Sequence, residues 1–235
     1  MQITNAADIT KDDSTYLLYA APGVGKTSTL KYLEGNVLLI DIDHTSHVLQ
    51  GEKHIDVFKF NTHEAWFAWQ ELVKDLATMD LSKYDTIAFD NISELTHSML
   101  GSLGRDGKNN RVPEMRHYQQ IDFFIIDSVR FLKSLGKRIV FFAWEDTDEW
   151  QTQDGQLFNR AYPQMRDKIR SNFMGLSDVV GRLTISPRTQ ERGFILQPSD
   201  AVFAKNQLDD RGFSLQKDIF KIGHESSEDV DVSAT

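Results

Sequence analysis

Eight consecutive residues, Ala20-Ala21-Pro22-Gly23-Val24-Gly25-Lys26-Thr27, set two glycines, a lysine and a hydroxyl between an apolar run and a stretch of helical spacing. Glycines let backbone N–H groups turn inward around an anion, and a helix N-terminus adds the positive end of its dipole. A lysine so placed reaches outer phosphate oxygens, and the hydroxyl beside it binds a magnesium ion. This spacing assigns Ala21, Pro22, Gly23, Val24, Gly25, Lys26, Thr27 and Ser28 to a nucleotide, with Thr27 on the metal. The pattern normally opens with glycine, and Ala20 is a small replacement there. The plain alternative is a glycine-rich turn before a surface helix.

Such a loop also needs an acidic residue on the tip of a neighbouring buried strand, to complete the magnesium site. Thr86-Ile-Ala-Phe-Asp90 supplies one, although Asp90 could equally cap a helix starting at Ile92. A general base is offered by Val37-Leu-Leu-Ile-Asp41-Ile-Asp43-His44, where the strand period of two puts Asp41 and Asp43 on one side at the carboxyl edge. The alternative for Asp43 is a loop cap or a solvated carboxylate.

The elements that must position these residues alternate along the 235-residue chain, short apolar runs with longer amphipathic stretches. That alternation predicts an α/β fold. Strand-like runs cover 16–19, 37–42, 57–60, 86–89 and 138–143, rich enough in Val, Ile, Leu and Phe to be buried on both faces of a parallel sheet. Helical spacing covers 26–33, 64–78, 92–103 and 114–135. Further on, Asp154-Gly155 marks a hairpin, a proline-opened helix is expected over 163–174, and runs 179–185 and 193–197 flank a polar turn. The expectation is a mainly parallel sheet flanked by helices, with antiparallel strands in the C-terminal third, as one domain over 1–223. An acidic, disordered tail is expected over 224–235, where four carboxylates meet no lysine or arginine.

Composition narrows the chemistry. The absence of cysteine excludes disulfides, thiolate metal sites and a cysteine nucleophile. A net charge of −9 excludes a general basic surface for nucleic acid or an anionic membrane. No apolar run approaches the roughly 20 residues of a membrane span, and Met1-Gln-Ile-Thr-Asn5 lacks a signal pattern, so a cytoplasmic protein is expected.

A strand ending Ile-Asp-x-acid-His, followed by an apolar strand ending in Asp, resembles the core of RecA-like recombinase ATPases. Most of the chain is more specifically similar to small phage nucleotide-binding proteins of the AAA type, which include RecA-like single-strand-annealing ATPases. The resemblance is carried by the Ala-Pro-Gly-Val-Gly-Lys-Thr loop, Leu-Ile-Asp-Ile-Asp, Phe-Asp90-Asn-Ile-Ser-Glu-Leu, Ser177-Asp-Val-Val-Gly-Arg182-Leu and Phe203-Ala-Lys205-Asn. It implies a RecA-like P-loop NTPase core that binds ATP and Mg²⁺ in a phage protein of the host cytoplasm. It further implies that Asp43, where recombinases carry glutamate, orients the attacking water, since Asn91 replaces the glutamate of many AAA-type motors. Glu145, at a strand end where such folds place γ-phosphate sensors, becomes a second candidate base, with a loop carboxylate as alternative. A homo-oligomer, ring or filament, is implied, with Lys205 first and Arg192 second as the basic residue completing a neighbour's site. A surface salt bridge is the alternative for either. Relatives often carry an arginine where Gln207 stands.

The stretches 101–116 and 146–162 correspond, on this resemblance, to loops that hold single-stranded DNA. Arg105, Lys108 and Arg111 in the first would neutralise phosphates, while Trp150, Phe158 and Tyr162 in the second would stack on bases. A solvated helix face is the alternative. Trp66 and Trp69, three apart, are packing residues, 123–126 a buried helix stretch, and His44 with His47 too few for a metal site. The leading function is an Mg²⁺-dependent ATPase coupling nucleotide state to single-strand binding or annealing. The alternatives are a small-molecule kinase and a nucleotide-dependent binding module with little hydrolysis.

Overall fold

The computed structural model describes residue 5 and residues 11–152 and 154–223; the acidic segment 224–235 lies outside them. Among the described residues ten strands form the sheet: β1 (Thr15–Ala20), β2 (Val37–Asp41), β3 (Ile55–Lys59), β4 (Thr86–Asp90), β5 (Arg138–Gln151), β6 (Leu157–Pro163), β7 (Val179–Ile185), β8 (Arg192–Ile195), β9 (Lys205–Asn206) and β10 (Phe213–Leu215). The order is β10-β8-β7-β1-β5-β4-β2-β3, with β6 paired to β5 and β9 to β7. All pairings from β7 across to β3 are parallel, and β6, β8, β9 and β10 add antiparallel. Because β1 lies between β5 and β7, the loop after Ala20 leaves the middle of the carboxyl edge, where open α/β sheets bind ligands.

The parallel strands are apolar on both sides because both faces are covered. On one face pack α1 (Ala65–Thr78), α2 (Ile92–Asp106), α3 (Met115–Lys133) and α4 (Asp167–Leu176). There an aromatic file runs Phe60, Trp69, Phe89, Phe141, Phe173, with successive ring centroids 6.3, 5.5, 5.1 and 4.8 Å apart. The Trp69 indole donates to Ser128 Oγ at 3.0 Å, so its one polar atom is satisfied in the core. The other face buries Tyr16, Leu18, Val140, Phe142 and Phe194 under Leu30, Ile219 and Phe220, from 3-10 segments Thr27–Tyr32 and Gln216–Lys221. Helix α2 begins where Asn91 accepts from the Glu94 N–H at 2.8 Å, and its buried stripe of Ile92, Leu95, Met99 and Leu103 keeps helical spacing.

Several expectations are corrected. The stretch 26–33 is a 3-10 segment and not an α-helix. Pro163 ends β6, and α4 starts only at Asp167; proline fits the end of a strand as well as the first turn of a helix. The run expected to stop at Ala143 continues to Gln151, so β5 and β6 form the two arms of the hairpin expected at Asp154-Gly155. Helix α2 absorbs 101–106, leaving 107–114 as the irregular connection to α3. Phe123 is 80% exposed, facing away from the sheet that Ile125 and Ile126 cover.

Candidate nucleotide-binding site

The P-loop owes its shape to two glycines in the left-handed region, Gly23 at φ +80° and Gly25 at φ +105°. Ala21, Pro22 and Gly23 are exposed at its mouth, Val24 and Gly25 half-buried, and Thr27 and Ser28 open the 3-10 segment. Lys26 is only 8% exposed, and its ammonium donates to the Ala20 carbonyl at 3.3 Å. Burial lowers its pKa, against the opposing pull of Asp90, Asp43 and Glu145. Three carboxylates thus surround one desolvated cation.

Gln216, which no sequence signal flagged, wedges the loop from behind. Its buried amide donates to the Gly25 carbonyl at 2.9 Å and to Thr29 Oγ1 at 3.0 Å. The side chain of Arg192 lies against the same glycine, its Nε 3.4 Å from where a Cβ on Gly25 would sit. Arg192 therefore flanks the P-loop of its own chain.

Asp90 is buried, and its Oδ2 accepts a hydrogen bond from Thr27 Oγ1. Its Oδ1 is buried with no partner. A buried carboxylate oxygen left unpaired beside a threonine hydroxyl and the P-loop fits a hard divalent cation, which takes oxygen ligands. Thr27 and Asp90 would hold Mg²⁺. Burial, and secondarily the negative charge of Asp43, push the Asp90 carboxyl up to about 7.

That shift has a sign that can be measured. The pKa in the fold lies above the 3.8 of an unburied aspartate, so the stabilisation tied to the protonated form is fully present below about pH 4 and is lost as pH rises through 7. Asp90→Asn removes the buried charge. Without nucleotide, this variant should melt above the parent at pH 8, by an amount on the order of a few kcal/mol, and the gap should narrow toward pH 5. Thermal melts at the two pH values check this, and loss of Mg²⁺-dependent nucleotide binding in the same variant checks the metal assignment.

The two aspartates after the second strand separate in role. Strand β2 ends at Asp41, whose buried carboxylate accepts the N–H groups of Thr45 at 3.0 Å and Ser46 at 3.3 Å, capping the turn. The chain then bends, because the Ile42 and Asp43 N–H groups both bond to the Asp90 carbonyl. This places Asp43 over the end of β4, where Oδ2 accepts from Asn91 Nδ2 and Oδ1 from Thr45 Oγ1, each at 2.7 Å. Thr45 Oγ1 lies 3.2 Å from Thr27 Oγ1, joining Asp43 to Thr27 and through it to Asp90. Asp43 thus lies beyond the end of β2 and not on the strand itself, although both aspartates accept from Thr45. Thr45 and the double role of Asn91 were not foreseen; the short polar side chains carry no period.

Glu145 stands at the edge of the site, but both its oxygens receive Arg182, from Nε and Nη2, at 2.8 Å each. Lys205 is not brought to its own P-loop. Its ammonium donates to the carbonyls of Met174 at 3.4 Å, Gly175 at 3.0 Å and Ser177 at 2.6 Å, closing the C-terminus of α4. Helix C-termini leave such carbonyls unsatisfied, and a cation there also meets the negative end of the dipole. Lys205→Ala is accordingly expected to lower stability by about 1–3 kcal/mol while leaving turnover per folded molecule unchanged, as denaturant titration beside an activity assay would show.

Of the residues proposed for DNA, Lys108 and Arg111 are exposed in the connection 107–114, whereas Arg105 turns back to donate to the His63 carbonyl. Tyr162 stacks on Phe203 at 5.9 Å and carries the Arg170 guanidinium 4.5 Å from its centroid, so neighbours occupy its ring. Among the described residues no three or more His, Asp or Glu side chains group as a metal site, and no helix is long and apolar enough to cross a membrane.

No curated protein is significantly similar to the chain. A family model described as an AAA domain matches residues 12–208, a span that contains the P-loop, Asp43, Asp90, Glu145 and Lys205. With that match over most of its length and a P-loop built into a parallel sheet, the chain belongs to the AAA domain family of P-loop nucleotide-binding proteins.

Proposed function

We propose that this protein hydrolyses ATP with Mg²⁺ and that its nucleotide state governs the binding or annealing of single-stranded DNA by a homo-oligomer. The observation that carries the hydrolytic part is the unpaired buried Oδ1 of Asp90, set beside Thr27 and Lys26. When bound, Mg²⁺ neutralises charge on the outer phosphates. Asp43, fixed by Asn91 and Thr45, orients a water for attack on the γ-phosphorus and takes its proton. The bond from that phosphorus to the bridging oxygen breaks, leaving ADP and inorganic phosphate.

The DNA part is supported by the exposed cations Lys108 and Arg111 in the connection after α2. The test is phosphate release with and without single-stranded oligonucleotide, alongside oligonucleotide binding at several salt concentrations. Mg²⁺-dependent release is expected, with DNA affinity falling at a log–log slope near −0.7 per phosphate neutralised. Replacing Lys108 and Arg111 by alanine should flatten the slope. An unaltered slope removes these residues from the DNA reading and leaves the hydrolase standing. Tight ATP binding without release would indicate a nucleotide-dependent binding module, and phosphoryl transfer to added nucleosides a kinase.

A further inference from the structure

Transfer of a γ-phosphoryl group spreads negative charge over its oxygens, and a cation beyond the P-loop lysine commonly meets it. Lys205, engaged with α4, does not do this within its own chain. Arg182 stands differently. On β7 it pairs in register with Tyr19, one residue before Ala20, whose carbonyl holds the Lys26 ammonium. Glu145 follows Trp144, the partner of Ala20 on the other flank of β1. Lys26, Glu145 and Arg182 thus converge on one end of one strand, and the charge of Glu145 is felt by Lys26.

The Glu145–Arg182 pair is half-hidden, with side-chain exposures of 14% and 29%, and its two parallel N–H···O bonds form a guanidinium–carboxylate fork. The same fork binds phosphate with the same geometry. Both oxygens of Glu145 are turned to the guanidinium, so the pair presents the geometry of phosphate recognition.

We propose that Arg182 is a γ-phosphate ligand supplied in cis, and that Glu145 is a positioning residue that holds the guanidinium until a triphosphate competes for it. This rests on the Mg²⁺–ATP reading above and adds what distinguishes ATP from ADP. The exchange swaps one anion for another on the same donors. Glu145 therefore opposes triphosphate binding, while Arg182 favours it.

The experiment measures Mg²⁺-dependent binding of ADP and of a non-hydrolysable ATP analogue, together with single-turnover hydrolysis. The variants are Arg182→Ala, Arg182→Lys, Glu145→Gln and the Arg182→Ala/Glu145→Gln double, with Lys26→Ala as control. Arg182→Ala should lose about tenfold or more in analogue affinity and about 10²-fold in turnover, with ADP affinity within about twofold of the parent. Glu145→Gln should bind the analogue several-fold tighter than the parent, an effect absent from the double variant. Arg182→Lys, which keeps the charge without the fork, should recover only part of the preference and serves if the alanine variant does not fold. An unchanged ratio of analogue to ADP affinity in both Arg182 variants would overturn the proposal. So would Glu145→Gln losing turnover at unchanged analogue affinity, which would make Glu145 the base. If Lys26→Ala also leaves analogue binding intact, the nucleotide reading itself fails, which separates the two failures.

Discussion

Lys26→Ala is expected to lose nucleotide turnover by about 10²–10³-fold, with weakened Mg²⁺–ATP binding, while keeping the fold. Lys26 is 8% exposed, and the hydrogen bond its ammonium donates to the Ala20 carbonyl is long at 3.3 Å. Burial disfavours its charged state while Asp90, Asp43 and Glu145 favour it, so its two effects on stability oppose one another. What it does contribute is a fixed positive charge in a water-poor site, where charge stabilisation is strongest because nothing must reorganise as the reaction proceeds. Phosphate release, calorimetric ATP titration and a thermal melt on one preparation check all three statements. Undiminished ATP binding and hydrolysis with a normal melt would remove the P-loop from the function.

Asp43→Asn is expected to keep ATP and slow its hydrolysis by about 10²-fold or more. The amide is close in size, and its carbonyl oxygen can still accept from Asn91 or Thr45, whose bonds to Asp43 are 2.7 Å each. The nucleotide contacts of the P-loop are separate from it, so affinity is preserved. What disappears is the capacity to accept a proton from water. Single-turnover hydrolysis measured beside equilibrium binding separates these effects. Full activity in Asp43→Asn, with the loss found instead in Glu145→Gln, would transfer the base.

How much of this was legible in the sequence follows from which constraints are local. The P-loop could be read because Gly23 and Gly25 are required by their own backbone angles, and Asp90 because it ends a short apolar run. The parallel core was readable from the unbroken apolarity of Leu17, Leu18 and Tyr19, buried from both sides. Thr45 was not, because its role depends on the bend at Ile42 and Asp43, which is set by the Asp90 carbonyl nearly fifty residues away. The Glu145–Arg182 pair and the Gln216 wedge join residues that only the sheet order brings together. Pro163 misled because its fixed φ and missing N–H suit a helix start and a strand end alike. Lys205 was given its role toward a neighbouring subunit by resemblance, and its contacts to the end of α4 within its own chain carry no sequence signal.

The wedge at Gln216 has a consequence for how the protein is made. Chains emerge from the ribosome N-terminal end first, at about 5–20 residues per second. The P-loop therefore emerges before the elements that support it: the strand bearing it has both its neighbours in β5 and β7, and the amide that props Gly25 comes 191 positions after that glycine. A nascent chain that has not yet reached Gln216 lacks the brace, so the loop around Gly25 stays unpropped until that amide has emerged.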